Sequence, residues 1–244
     1  MEEVYNPHFM KNKPGMVASE ELEPYELLKA KAIWEDLANY TKQAVAKLTE
    51  LGVHKQWANR PLEPFGYIDV LISSTDWANF MALRDEEGAQ PEIRAVAELI
   101  KELMEADGPN YLQPGDWHLP YIELKKDIEL ICEYKGVPDI THLDIPDTEE
   151  LLRRISVARC ARLTIKPFDG DGSIEKELKR YNLLMVSRPV HASPAEHVAT
   201  PDSPAFICDS TGKTGGWANP KEHGNFYGWR QFRKMIPHNT IEDR

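Results

Sequence analysis

Apolar residues recur at helical spacing over Tyr25 to Leu51, with Leu27, Ala30, Ile33 or Trp34, Leu37, Val45, Leu48 and Leu51 along one side. Pro24 suits a first helical turn and Gly52 a stop, so the pattern predicts one long packing helix. Val53 to Asn59 predicts a short further helix. In Tyr67-Ile-Asp-Val-Leu-Ile-Ser73, β-branched and aliphatic residues dominate, which predicts a strand. A short helix follows, with Ser74 or Thr75 offering a capping hydroxyl. On it Trp77, Phe80 and Leu83 recur every three residues; Phe80 and Leu83 pack inward, leaving Asn79 and Arg84 at the rim. Periodicity alone describes an ordinary amphipathic helix with solvated polar residues.

Ile93, Val96, Ala97, Ile100 and Leu103 predict a helix over Pro91 to Ala106 that ends near Gly108. Residues 109–146 are rich in Pro and Gly and are predicted irregular. Within them Trp117-His118-Leu119-Pro120-Tyr121 forms an ordered loop, His118 being a structural hydrogen-bonding residue. Asp147 and Glu150 have capping-box spacing for a helix through Leu151, Leu152, Ile155 and Val157, and a strand is expected around Arg162 to Ile165. Asp171 or Ser173 caps a helix over Ile174 to Met185. Residues 1–19 contain Asn6-Pro7 and Pro14-Gly15 and are predicted extended or turning. Asp169-Gly-Asp-Gly-Ser173 approaches a calcium loop, but Ile174 and Arg180 replace the required glycine and glutamate. No metal site is predicted.

Composition narrows the class. A chain of 244 residues can form one large domain or two small ones, and a single domain over 1–244 is the expectation. Hydrophobic content of 41% and charged content of 28% belong to a globular protein. A net charge of −11 excludes broad binding to nucleic acid polymers or anionic membranes, while leaving room for a small anion held by local arginines. No apolar run reaches a membrane span and no signal-peptide pattern opens the chain, so an intracellular, cytoplasmic protein is expected. Cys132, Cys160 and Cys208 are odd in number and widely spaced, which argues against a disulfide framework or zinc knuckle.

One set of spaced identities points further. Asn79, Leu83, Arg84, Ala89, Gln90, Glu92 and Ile93 form Asn-x-x-x-Leu-Arg followed by Ala-Gln-x-Glu-Ile. This resembles the substrate-binding helix of the flavin-dependent thymidylate synthases. Asn59-Arg60-Pro61-Leu62-Glu63-Pro64 resembles the Arg-x-x-Leu-Pro element upstream of it. Ala158-Arg159-Cys160-Ala161-Arg162-Leu163-Thr164 is similar to the family's Ala-Arg-Val-Ser-Tyr segment. Ser193-Pro194-Ala195-Glu196-His197 is similar to its Ser-Pro-Phe-Glu-His motif, with Ala195 in place of Phe. The motifs run in reversed order, as in a circularly permuted phage and bacterial branch. The family's Arg-His-Arg-x-x-Ser-x-x-Glu-x-Ser-x-Arg motif is not found; Arg230-Gln-Phe-Arg233-Lys234 resembles only its beginning.

The resemblance implies an α+β fold with a central mixed or antiparallel sheet flanked by long helices. It implies reductive methylation of deoxyuridine monophosphate (dUMP) or a related pyrimidine nucleotide, with FAD as cofactor and methylenetetrahydrofolate and NADPH as co-substrates. Arg84 would be catalytic, its fixed guanidinium stabilising the deprotonated pyrimidine, and Arg60 and Arg162 would join it in holding the nucleotide. Ser73, Ser74, Thr75, Asn79, Thr164 and His197 would bind the flavin. A homotetramer is implied, with the Arg-rich motif expected on a separate small chain or a missing N-terminal segment, in a bacterial or phage-infected cell. A noncatalytic descendant with the same fold, or a relative modifying another pyrimidine nucleotide, is the alternative.

Overall fold

The structure, a computed structural model, describes residues 3–14, 20–205 and 215–239. Residues 1–2 and 15–19 of the expected N-terminal extended segment and Cys208 lie outside them. Two compact units emerge: Met1–Asp69 with Trp77–Pro109, and Val70–Asp76 with Asn110–Arg244.

The first unit is built on α1, Pro24–Glu50, which begins with proline in its first turn and is followed by Gly52 at φ 80°. Its buried line passes through Ala38 and Val45 rather than through Ile33, Leu37 and Leu51, which stay exposed. An aromatic cluster selects that line. Trp34 Nε1 donates to the Tyr5 carbonyl at 2.7 Å, while its ring packs on Phe65 at 4.8 Å and meets Phe9 edge-on. Phe65 ends a 3-10 helix, Arg60–Phe65, preceded by α2, Lys55–Ala58, whose N-cap is His54. Helices α3, Trp77–Arg84, and α4, Pro91–Ala106, complete the unit, joined by the Lys101–Asp85 ion pair at 2.6 Å.

Two local expectations fail here. Leu83 is exposed rather than inward, and α3 has no buried residue. Residues 67–74 form no strand; their backbone groups have no ladder partner among the described residues. β-branched composition favours extended φ and ψ, but a strand also needs a neighbour.

The second unit is helical around one buried charge network. Helix α5, Leu124–Lys135, occupies part of the stretch predicted irregular; its Ile131 is fully buried and Gly136 closes it in the left-handed region. Proline and glycine on both sides mask this helix in the sequence. Helix α6, Ile145–Arg162, starts earlier than predicted because Asp144, not Asp147, is the cap: its carboxylate accepts from Asp147 N at 3.0 Å. It also runs through the segment where a strand was expected to begin and stops at Leu163 with φ 56°. Helix α7, Ile174–Met185, falls where predicted, with Ser173 at the N-cap position but making no side-chain cap bond.

Strands β1, Ala199–Pro201, and β2, Trp229–Gln231, pair antiparallel with Thr200 opposite Arg230. The short helix α8, Phe232–Met235, follows directly, and Phe232 packs edge-on against Trp117 at 5.7 Å. The chain is thus helix-rich with a small antiparallel sheet, an α+β composition. Among the described residues the sheet is this two-stranded pair, not a central sheet flanked by long helices.

Asp127 on α5 and Arg159 on α6 form a buried two-point ion pair at 2.6 and 2.8 Å. Arg159 also donates to the Tyr121 carbonyl at 2.7 Å, where Tyr121 holds φ 62°. Removing one member of such a pair strands its partner away from water. Arg159→Met should therefore cost about 3–5 kcal/mol, read as a lower urea midpoint. A loss below about 1 kcal/mol would mean that the pair is solvated and contributes little.

Candidate functional site

The first unit carries three of the expected site residues, all exposed. Arg60 opens the 3-10 helix with its guanidinium 5.0 Å over the Trp57 ring, a cation–π contact that keeps its charge available. Asn79 and Arg84 both lie on α3, where five residues rotate the side chains by about 140° around the axis. They leave the helix in different directions. Local geometry therefore does not converge them, and Arg84 stands at the helix C-terminus, where its cation meets the negative end of the dipole.

The second unit brings together residues from two distant parts of the chain. Ser73 Oγ lies 3.1 Å from His197 Nδ1, although 124 positions separate them. The neighbouring hydroxyls have other tasks. Ser74 Oγ accepts from Asp76 N at 3.1 Å, a local turn ahead of α3, and Thr75 Oγ1 accepts from Tyr227 N at 2.9 Å. Thr75 thus fastens the 70–76 segment to the C-terminal part of the unit and does not cap α3.

His197 follows the 3-10 helix Ser193–Glu196, whose second residue is Pro194 and whose Ala195 is fully buried. A phenylalanine at 195 would need room that this packing does not leave, which gives the alanine a structural reason. Glu196 pairs with Arg233 on α8, fixing the turn. Burial lowers the His197 pKa, and the nearby His118 imidazole lowers it further. His118 keeps an exposed surface, yet the protein packed about its ring lowers its pKa too. Its backbone donates to the Ala199 carbonyl at 2.8 Å, extending the edge of β1. His118 is tied to β1 through its backbone, and its ring also faces His197 electrostatically, which no sequence signal disclosed.

Arg162 and Thr164 are drawn into other contacts. Arg162 points into the buried network and pairs with Glu177 on α7. Thr164 Oγ1 closes a turn, accepting from Lys166 N at 3.2 Å and donating to the Lys166 carbonyl at 3.1 Å. Cys160, two residues before Arg162 and buried, has its thiol pushed up to about 12 by desolvation, so it is no thiolate at neutral pH.

A second polar cluster is complete in itself. The Asp202 carboxylate accepts from Asn219 N at 2.7 Å, Asn219 Nδ2 at 2.9 Å and Ser203 N at 2.9 Å, and lies 2.9 Å from His223 Nε2. Burial pushes this carboxyl up, but the hydrogen bonds together outweigh it and hold it at about 2. His223 and Asp202 are a structural clasp.

Among the described residues no group of three or more His, Cys, Asp or Glu is placed to hold a metal ion, and no helix is long and apolar enough to cross a membrane. No family model, curated protein or solved structure matches the chain.

The depressed histidines set a pH window. Unfolded His197 and His118 take up protons near pH 6.5 while the folded forms resist, so their stability contribution is full above about pH 6.5 and lost as pH falls through the folded pKa values. Asp202 acts only below about 4, from the ordinary carboxylate value down, so the two windows separate. The melting temperature should fall from pH 7 to 5, and His197→Gln should flatten that slope. An unchanged slope in the variant would show that His197 titrates normally.

Proposed function

We propose that the chain is a flavin-dependent, thymidylate-synthase-like methyltransferase that acts on dUMP or a related pyrimidine nucleotide. The observation that carries this reading is the Ser73–His197 contact. The resemblance implies flavin binding for both, Ser73 in the turn ahead of Asn79 and His197 in the Ser-Pro-x-Glu-His motif, and they lie 3.1 Å apart within one unit. The fit is chemical as well. With Nδ1 facing Ser73 and the ring held neutral by burial, His197 keeps Nε2 for one uncharged hydrogen bond, as a ring nitrogen or carbonyl of a flavin requires.

Bound FAD would supply the reducing equivalents, with NADPH as their source and methylenetetrahydrofolate as the one-carbon donor. Ser73 and His197 orient the cofactor, and Thr75 holds their segment against the Tyr227 backbone. Arg60 holds the nucleotide phosphate. Arg84 donates two parallel hydrogen bonds to the pyrimidine edge and stabilises negative charge as its ring nitrogen loses a proton. The assembly proposed is a homotetramer, with the Arg-rich motif supplied by a further segment or a small partner chain.

The pairing of Arg162 with Glu177 favours a second reading at that one position. A guanidinium enclosed in the unit and turned to a carboxylate is a poor nucleotide ligand, as expected of a noncatalytic descendant that keeps the fold.

Lysine at 84 keeps charge but loses the planar fork. Arg84→Lys, assayed with any required partner chain supplied, should keep its fold and flavin. It should lose about two to three decades of turnover, for a loss of about 3–4 kcal/mol in transition-state stabilisation. The readout is tritium release from C5 of labelled dUMP. Release near the unmodified rate would remove Arg84 from the mechanism.

A further inference from the structure

The charge network in the second unit is unbalanced. Three cations, Arg159, Arg162 and Arg180, meet two anions, Asp127 and Glu177, a balance of 3 − 2 = +1. Asp127 and Glu177 are 1% and 0% exposed, and the Arg162 side chain is 6% exposed. Arg162 uses Nη2 on Glu177; its Nε and Nη1 are buried without an acceptor among the described residues, as is Arg159 Nε. Glu177 cannot supply more, since its other oxygen accepts from Arg180 Nη1 at 2.7 Å. Desolvation lowers the Arg162 pKa, and the neighbouring Arg180 and Arg159 add to it, against the pull of Glu177.

A buried guanidinium with two idle donors is costly, and the cost is removed by one more acceptor that carries the missing charge. We propose that Arg162 Nε and Nη1 hold one small monovalent anion, a halide or a carboxylate of formate size, inside the second unit. Charge selects the sign, because an anion brings the group to neutrality whereas water satisfies the donors and leaves +1. Burial selects the size, because a side chain this enclosed admits no nucleotide. The proposal rests on the ion network alone and holds whether or not the chain binds flavin.

An anion bound only by the folded state raises the melting temperature in a saturable way. Sodium gluconate, too large for the site, is replaced stepwise by sodium chloride or by sodium formate at constant ionic strength, with melting followed by intrinsic fluorescence. The expected result is a saturating rise with chloride, formate or both, the two series distinguishing halide from carboxylate. Arg162→Gln should abolish the rise. Arg180, 29% exposed and so tolerant of change, provides the second variant. Arg180→Gln leaves two cations against two anions and should weaken the apparent affinity by about tenfold or more. A flat response in the unmodified protein, or an equal response in it and Arg180→Gln, would overturn the proposal.

Discussion

The Arg159–Asp127 pair is the constraint on which the second unit depends. It ties α5 to α6, and Glu177 extends the tie to α7. Burying these charges is expensive, so the pair is weak evidence for high stability; its effect is to demand one arrangement. Asp127 must also accept from Glu123 N at the start of α5, and Arg159 must reach the Tyr121 carbonyl. Ser156, one turn earlier on α6, donates to the Pro120 carbonyl at 2.7 Å. These bonds pin the loop from Trp117 to Tyr121, which places His118 against β1 and within electrostatic reach of His197. A buried ion pair thus positions His118 through a loop.

The Ser73–His197 contact depends on the same frame from the other side. His197 is set by the buried Ala195 turn and by the pairing of Glu196 with Arg233. Ser73 arrives on a segment held through Thr75 to the Tyr227 backbone. A neutral imidazole at this point is a consequence of burial and of a second histidine, and it suits an uncharged polar ligand better than a phosphate. The exposed Arg60 guanidinium, by contrast, keeps its charge over an aromatic face.

Much of the helical structure was legible because it has strong local signals. Pro24 and Gly52 mark the ends of α1, Pro91 opens α4, and Ile174 to Met185 shows a clear apolar face. The failures share one cause, the need for a partner that local sequence does not contain. Tyr67 to Ser73 has strand composition but no neighbouring strand among the described residues. Leu124 to Lys135 is helical within Pro- and Gly-rich surroundings because Ile131 and Asp127 are buried by residues from α6. At the site, the resemblance selected His197 in a motif and Ser73 in the turn ahead of Asn79, and their contact is a tertiary fact. Arg162 was selected by the same match, yet it turns to Glu177, a residue that the pattern of α7 presents only as one more charge.

The central claim is that Ser73 and His197 act as one unit in holding a flavin, and a double-mutant cycle on FAD binding tests it most directly. FAD is titrated into the unmodified protein, Ser73→Ala, His197→Gln and the double variant, with flavin fluorescence giving each dissociation constant. The account predicts that each single change weakens binding and that the double change is no worse than the poorer single one, with a coupling of about 1 kcal/mol or more. Additive losses, or an absence of FAD binding in the unmodified protein supplied with its partner chain, would contradict it.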